Sequence, residues 1–200
     1  IRDLTEDGIE PNPGPRFITW NPNGLCNQGR RNGFFKSIKF EHSRSPILAI
    51  FVQEHNIKSK DAAEVHKDAT RYGLFIYMSP ISNHAHKGGT AIIIPQNQLG
   101  LQKGKTLRDA DSQVRLGMAS AGAGRVTSIH THVEERLLIL TAAYAPSAPG
   151  ERQAFFTNIL QPFVDSETVL GVDANCVPDV SLDVRSSART PYENTGANEL

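Results

Sequence analysis

The chain has 200 residues, of which 38% are hydrophobic and 21% charged, a balance that fits one soluble, well-cored domain and excludes an intrinsically disordered polypeptide. Its 21 basic and 21 acidic side chains cancel but are unevenly placed: residues 16–108 hold 14 Lys and Arg against 5 acids, residues 109–200 hold 6 against 12, and residues 1–15 hold 1 against 4. The front half can therefore present a basic face to phosphates, and no apolar stretch reaches the roughly eighteen residues that a membrane span requires.

Residues 1–15 end in Asn12-Pro13-Gly14-Pro15, with a further proline at position 11. Prolines fix φ and remove backbone donors, so this segment is expected to be an extended arm separate from the domain at 16–200. From Arg16 onward, strand and helix patterns alternate. Phe17 to Trp20 reads as a strand, and Asn32 to His42 sets Phe34, Phe35 and Ile38 at helical spacing. Ile47 to Val52 is short and almost wholly apolar, as a strand covered on both faces should be. Asp61 to Tyr72 reads as a helix stopped by Gly73, and Leu74 to Met78 and Thr90 to Ile94 as strands. Arg125 to Val133 and Arg136 to Tyr144 form a hairpin pattern joined through Glu134-Glu135. Ser147 is placed to cap a helix from Pro149 to Val164 that turns Phe155, Phe156, Ile159, Leu160 and Phe163 inward, and Thr168 to Val172 is a last strand. The succession implies an α/β fold of two packed sheets covered by helices.

Four polar clusters follow apolar strand runs: Trp20-Asn21-Pro22-Asn23-Gly24, Gln53-Glu54-His55, Tyr144-Ala145-Pro146 and Asp173-Ala174-Asn175. Side chains at strand ends emerge from a rigid frame into a crevice, so four such clusters of carboxylate, amide and phenol groups point to one shared site. Hard oxygen donors of this kind suit Mg²⁺ or Mn²⁺. Zinc is not expected, because Cys-x-x-Cys and His-x-x-x-His pairs are lacking, and Cys26 and Cys176 read as reduced thiols of an intracellular protein. His55 beside Glu54 reads as a packing or solvated neighbour on an exposed loop, and Lys87 as a solvated loop lysine that could touch phosphate.

The ordered series Trp20-Asn21-x-Asn23-Gly24-Leu25, Gln53-Glu54, Ala143-Tyr144-Ala145-Pro146 and Asp173-x-Asn175 resembles the endonuclease/exonuclease/phosphatase superfamily. Within it the chain is similar to the apurinic-type endonuclease domain of LINE-like (non-LTR) retrotransposons, in which Gly88-Gly89-Thr90 to Ile94 and Tyr144-Ala145-Pro146-Ser147 find parallels. The resemblance implies a two-sheet sandwich of the exonuclease III/DNase I type. It makes Glu54 the principal metal ligand, with Asn21 helping to hold the metal shell and Asn23 binding phosphate. Tyr144 would hydrogen-bond the scissile phosphate, Asp173 would orient or deprotonate the attacking water, and Asn175 would bind a phosphate oxygen. Asn23 departs from relatives that carry Asp there. The family pattern also calls for a later Ser-Asp-His run, and no His follows His132. The chain, which starts at Ile1 without an initiator Met, is therefore expected to be a C-terminally truncated piece of a longer reading frame, feeble or inactive alone.

Asp7-Gly8-Ile9-Glu10-Pro11-Asn12-Pro13-Gly14-Pro15 resembles a 2A-type ribosome-skipping peptide, whose junction would be Gly14-Pro15. Together the two resemblances imply a Mg²⁺- or Mn²⁺-dependent endonuclease that nicks target DNA in the nucleus, abasic sites included, and primes reverse transcription. Its implied partners are DNA and the reverse transcriptase region of the same polyprotein, with no membrane. The alternatives are a phosphatase of the same superfamily and a catalytically inactive remnant.

Overall fold

A computed structural model describes residues 16–96, 114–116, 124–133 and 136–176. The amino-terminal peptide with Gly14 and Pro15, and the residues after 176, lie outside them. The first sheet consists of β1 (Arg16–Trp20), β2 (Ile47–Gln53), β3 (Leu74–Ser79) and β4 (Thr90–Pro95), in the order β1–β2–β4–β3. β2 and β4 hold the middle, antiparallel to each other, and are buried along nearly their whole length. Their runs of Ile, Val, Phe and Ala are apolar at every position because both faces of the sheet are covered. β1 runs parallel to β2, which requires a crossover, and α1 (Gln28–Arg44) supplies it.

The second sheet is ordered β5 (Val114–Leu116), β6 (Val126–Val133), β7 (Arg136–Tyr144) and β8 (Thr168–Asp173). β6 and β7 pair antiparallel, whereas β8 runs parallel to β7. The crossover between β7 and β8 starts as α3 (Pro149–Ala154), widens to a π-turn over Phe155–Leu160 and tightens to a 3₁₀ turn at Gln161–Phe163. The two-sheet α/β sandwich expected from the sequence is thus the architecture present.

Alternation along β2 sorts its side chains between two cores. Ile50 and Val52 pack with Phe34, Phe35 and Ile38 of α1 and with Val65 and Ala69 of α2 (Ala62–Arg71). Ala49 and Phe51 face the other way and meet Ile129, Leu140 and Ala142 between the sheets. Val126 and Ala143 face outward against Phe155, Phe156 and Leu160. The layers therefore run helix, sheet, sheet, helix.

Close approach of the sheets rests on Gly171 in β8. A Cβ there would lie 2.3 Å from both Cβ and Cγ of Phe51. Beside this contact the buried Gln53 donates from Nε2 to Thr19 Oγ1 (3.0 Å) and to the Gly171 carbonyl (3.1 Å), joining β1 and β2 to β8. A second stitch links β4 to β6, where Thr127 Oγ1 donates to the Thr90 carbonyl at 2.9 Å. The two helices over the first sheet are pinned by Arg31, 3% exposed, whose guanidinium binds Asp68 of α2 through Nε (2.9 Å) and Nη2 (2.5 Å).

Three boundaries differ from the sequence reading. α1 begins at Gln28, four residues before Asn32, because the Asn27 side chain caps it by accepting from Arg30 N at 2.9 Å. Gly29 and Gly33 had masked that start. Ser147 does not cap α3: the cap position is Ala148, without a side-chain bond, and Pro149 opens the helix. The short β5 carries no apolar run to announce it. Gly73, with φ of 72°, ends the α2 segment as expected.

Gly171→Ala is expected to destabilise the protein by about 1–3 kcal/mol through overpacking against Phe51. Gly33→Ala, where a Cβ meets nothing within 4 Å, should be neutral or stabilising in the same thermal melts. Equal melting temperatures for the two variants would contradict the close sheet contact.

Candidate active site

The four polar clusters converge at one end of the sandwich. β1 and β2 are parallel, so their carboxyl ends lie together, and two backbone bonds lock the loops that follow: Gly24 N donates to the Glu54 carbonyl (2.9 Å) and Leu25 N to the His55 carbonyl (2.8 Å). β7 and β8 are parallel as well, and Ala145 N donates to the Asp173 carbonyl at 2.9 Å. Each sheet thus delivers a pair of strand ends, and the contact at Gly171 brings the pairs together.

Asn21 joins them. Its Nδ2 donates to Glu54 Oε2 at 3.1 Å and to Asp173 Oδ2 at 2.8 Å, and its Oδ1 accepts from Asn23 N at 2.8 Å. Because the Asn23 N–H needs an acceptor, the amide is oriented with nitrogen toward the carboxylates. The sequence reading had Asn21 in the metal shell. In this geometry Nδ2 of Asn21 spaces the two carboxylates, while Oδ1, the atom with which it would help hold a metal shell, accepts one hydrogen bond from Asn23 and keeps a second lone pair. Asp173 is held further by Asn175 N, which donates to Oδ1 at 3.2 Å.

Backbone strain marks the same residues. Asn23 (φ 50°), Glu54 (φ 53°), Asn56 (φ 59°) and Asn175 (φ 49°) are left-handed without being glycine. Asn tolerates this region, but Glu does so at a cost of order 1–3 kcal/mol. Glu54 is held there by the bond from Gly24 and by its neighbours His55 and Asn56, whose N–H groups donate to the Gly89 (3.3 Å) and Gly88 (2.8 Å) carbonyls.

Tyr144, 7% exposed, stands beside both carboxylates. Burial, and next the charge of Glu54, raise its pKa above the usual tyrosine value, while a hydrogen bond from Asn175 opposes the rise. The phenol therefore stays protonated and can donate its O–H. Asn175 also donates from Nδ2 to the Ala145 carbonyl at 2.7 Å, so its expected grip on a phosphate oxygen would share an amide already engaged. Asn23 has an exposed side chain and lines a cleft beside Trp20.

Of the two expectations for His55, packing or solvation, the first holds, although the loop is not exposed at this residue. It is fully buried, Nδ1 accepts from Ile57 N (2.9 Å), and Nε2 then faces the Thr90 carbonyl as donor (3.2 Å). Burial lowers its pKa to about 4, so it is neutral near pH 7 with both nitrogens engaged. It serves as a buried prop for the loop, fitted against Gly89.

Two cations border the site: Lys87, expected as a solvated loop lysine that could touch phosphate, and Arg125, which the sequence did not single out. Lys87 Nζ lies 3.6 Å from Glu54 Oε1, although its side chain is 74% exposed. Arg125 sits 5.5 Å over the Tyr144 ring and donates to the Tyr144 carbonyl at 3.3 Å. The signal for Lys87 was strand pairing: Thr90 opposes Gln53, so the residues just before Thr90 lie beside those just after Gln53. Cys26 and Cys176 are free thiols, and burial raises the pKa of Cys176.

Among the described residues no group of three or more His, Cys, Asp and Glu gathers to hold a metal. What meets here is a pair of carboxylates from different sheets, spaced by one amide. That donor set fits a hard divalent cation that keeps most of its own water, as Mg²⁺ does, with Glu54 and Asp173 as the carboxylate oxygens available to it. No described helix is long and apolar enough to cross a membrane.

No family model matches the chain, and no curated protein does. Solved structures do. TDP2 of D. rerio complexed with a single-strand DNA product is similar at a TM-score of 0.53 and 15% identity, covering 82% of this chain and 62% of that one. A humanized D. rerio TDP2 with 14 mutations gives 0.50 and 14%, covering 80% and 66%. The endonuclease domain of TRAS1, a telomere-specific non-LTR retrotransposon, gives 0.46 and 10%, covering 80% and 59%. At these identities the likeness to the two TDP2 structures is one of fold, and the chain spans under two thirds of the TRAS1 domain and of the TDP2 chain complexed with DNA product.

Gly89→Ala would set a Cβ 2.3 Å from His55 Cε1 at a φ of 86°. We expect it to lower stability by more than about 1 kcal/mol and to loosen the Glu54 loop. Thermal melting combined with amide exchange at His55 and Asn56 checks this. Unchanged protection would show that His55 does not brace the loop.

Proposed function

We propose that this chain is the front part of a metal-dependent DNA phosphodiesterase, an endonuclease of the kind that non-LTR retrotransposons use to nick target DNA ahead of reverse transcription. The observation that carries the proposal is the single amide of Asn21 shared by Glu54 and Asp173, carboxylates 119 positions apart in sequence and drawn from different sheets. A structural scaffold gains nothing from two carboxylates placed side by side at a strained turn, whereas hydrolysis of a phosphodiester uses both.

A Mg²⁺ or Mn²⁺ ion held by Glu54, when bound, would neutralise charge on the phosphate and lower the barrier to attack by water. Asn21 keeps the two carboxylates apart and fixed in direction. Asp173, held at Oδ1 by Asn175 and at Oδ2 by Asn21, would orient the attacking water and accept its proton. Tyr144 would donate its O–H to a phosphate oxygen, a role that its raised pKa favours. Lys87 and Arg125 would balance the charge of the approaching strand, since both already lie against site groups.

The finer reading draws on the retrotransposon-type motifs and the Asp7 to Pro15 peptide in the sequence, and a DNA-bound protein shares the fold. The complete enzyme would then work with the reverse transcriptase region of its own polyprotein.

The chain should bind Mn²⁺ in a paramagnetic titration, and Glu54→Gln or Asp173→Asn should weaken binding at least about 10-fold; Asn21→Ala, which releases both carboxylates, should cost about 10- to 100-fold. A protein extended through a Ser-Asp-His segment should nick supercoiled plasmid with Mg²⁺ and stop in EDTA. Tyr144→Phe in that protein should lower kcat by about 10- to 100-fold. An inert extended protein, on both plasmid and abasic DNA, would refute the assignment.

A further inference from the structure

The residues that place Asn21 also build a second feature that hydrolysis does not use. A cleft of about 450 Å³ opens between the loop after β1 and the exposed face of α1, lined chiefly by Trp20, Asn21, Asn23, Arg30, Phe34 and Ser37. Its size is within the range that holds a small organic group. Trp20 is 45% exposed, and its indole is held edge-on to Phe34, with ring centroids 5.0 Å apart and planes at 71°. A large aromatic ring that is half solvated and held by a buried neighbour is a preformed stacking surface.

The rim carries charge of one sign. Arg30 is exposed, and its guanidinium is anchored across the loop by the carbonyls of Pro22 (2.6 Å) and Asn23 (3.2 Å). The first turn of α1 holds no acid. Gly33 lies one turn from Arg30 and from Ser37, and a Cβ there would meet nothing, so packing does not demand this helix-weakening glycine. It keeps the helix face beside the cleft low.

We propose that this cleft is a subsite for an unstacked base of a single DNA strand, one that lies flat on Trp20 while Arg30 meets the adjoining phosphate. Resting on the phosphodiesterase reading, it assigns that site a base-gripping subsite next to the scissile bond. Contiguity supports the assignment: Asn21 lines the cleft and also spaces the Glu54 and Asp173 carboxylates, so the subsite adjoins the carboxylate pair. Stacking on an aromatic face accepts any base, so the subsite favours strands that are open or easily opened over stable duplex.

Trp20 is the single tryptophan of the chain, so its emission reports on the cleft directly. The test is a fluorescence titration of the full chain in EDTA with a short oligothymidylate, a base-free abasic oligomer of equal length, and a blunt duplex. The oligothymidylate should quench Trp20 and bind about 10-fold or more tightly than the base-free oligomer. By fluorescence anisotropy with labelled strands, Trp20→Ala should erase that difference and Trp20→Phe should keep most of it. Equal affinity of the wild type for base-bearing and base-free strands would overturn the proposal, whether or not Trp20→Ala folds. No turnover is required, so a failure of hydrolysis and a failure of base binding remain separate results.

Discussion

The site exists because two sheets touch where one residue has no side chain. Gly171 lets β8 settle against Phe51 of β2, and Gln53 then reaches across from the first sheet to the Gly171 carbonyl. The strands carry this contact forward: two residues beyond Gly171 comes Asp173, and one beyond Gln53 comes Glu54. Any wider spacing would leave each carboxylate alone at its own strand end. Packing, not affinity between the charged groups, assembles the pair, since two carboxylates repel.

Repulsion of that kind has to be countered, and the fold does so with neutral and cationic donors in layers. Asn21 gives one N–H₂ group to both acids, Asn175 gives its backbone N–H to Asp173, and Lys87 stands 3.6 Å from Glu54. These donors come from loops tied down elsewhere. Arg31, whose guanidinium pairs with Asp68, also donates to the carbonyls of Leu25 and Cys26, which fixes the chain just beyond Asn21 and Asn23. A buried pair between two helices thereby sets the position of a polar loop at the end of a strand. Tyr144 gains from the same surroundings, because neighbouring negative charge and burial keep its proton in place.

Most of the architecture was legible in the sequence, since buried strands and amphipathic helices write their period directly into runs such as Ile47 to Val52 and Thr90 to Ile94. Convergence of Asn21, Glu54, Tyr144, Asp173 and Asn175 was legible too, as polar clusters at the ends of four strands. Orientation was not. Nothing in the order of residues says which end of the Asn21 amide faces the acids; that follows from the N–H of Asn23. For His55 the sequence left packing and solvation both open, and its neighbours in space, Gly89 and the Thr90 backbone, decide for packing. Lys87 and Arg125 reach the site through strand pairing over long separations, which local pattern does not encode. The early start of α1 was hidden by two glycines that a single capping asparagine outweighs.

The left-handed backbone at Glu54 bears on how this sequence can change over generations. Glycine would fit φ of 53° better than glutamate does, so under the proposed hydrolysis the need for a carboxylate at this position and the preference of the backbone pull apart. Lineages in which the chemistry is under selection must retain the strained residue, and drift toward comfort is closed to them. Copies released from that selection face no such barrier, and glycine at 54 becomes for them a gain. Among sequences descended from a common ancestor, the residue at this one turn would separate working copies from relics more sharply than overall divergence could.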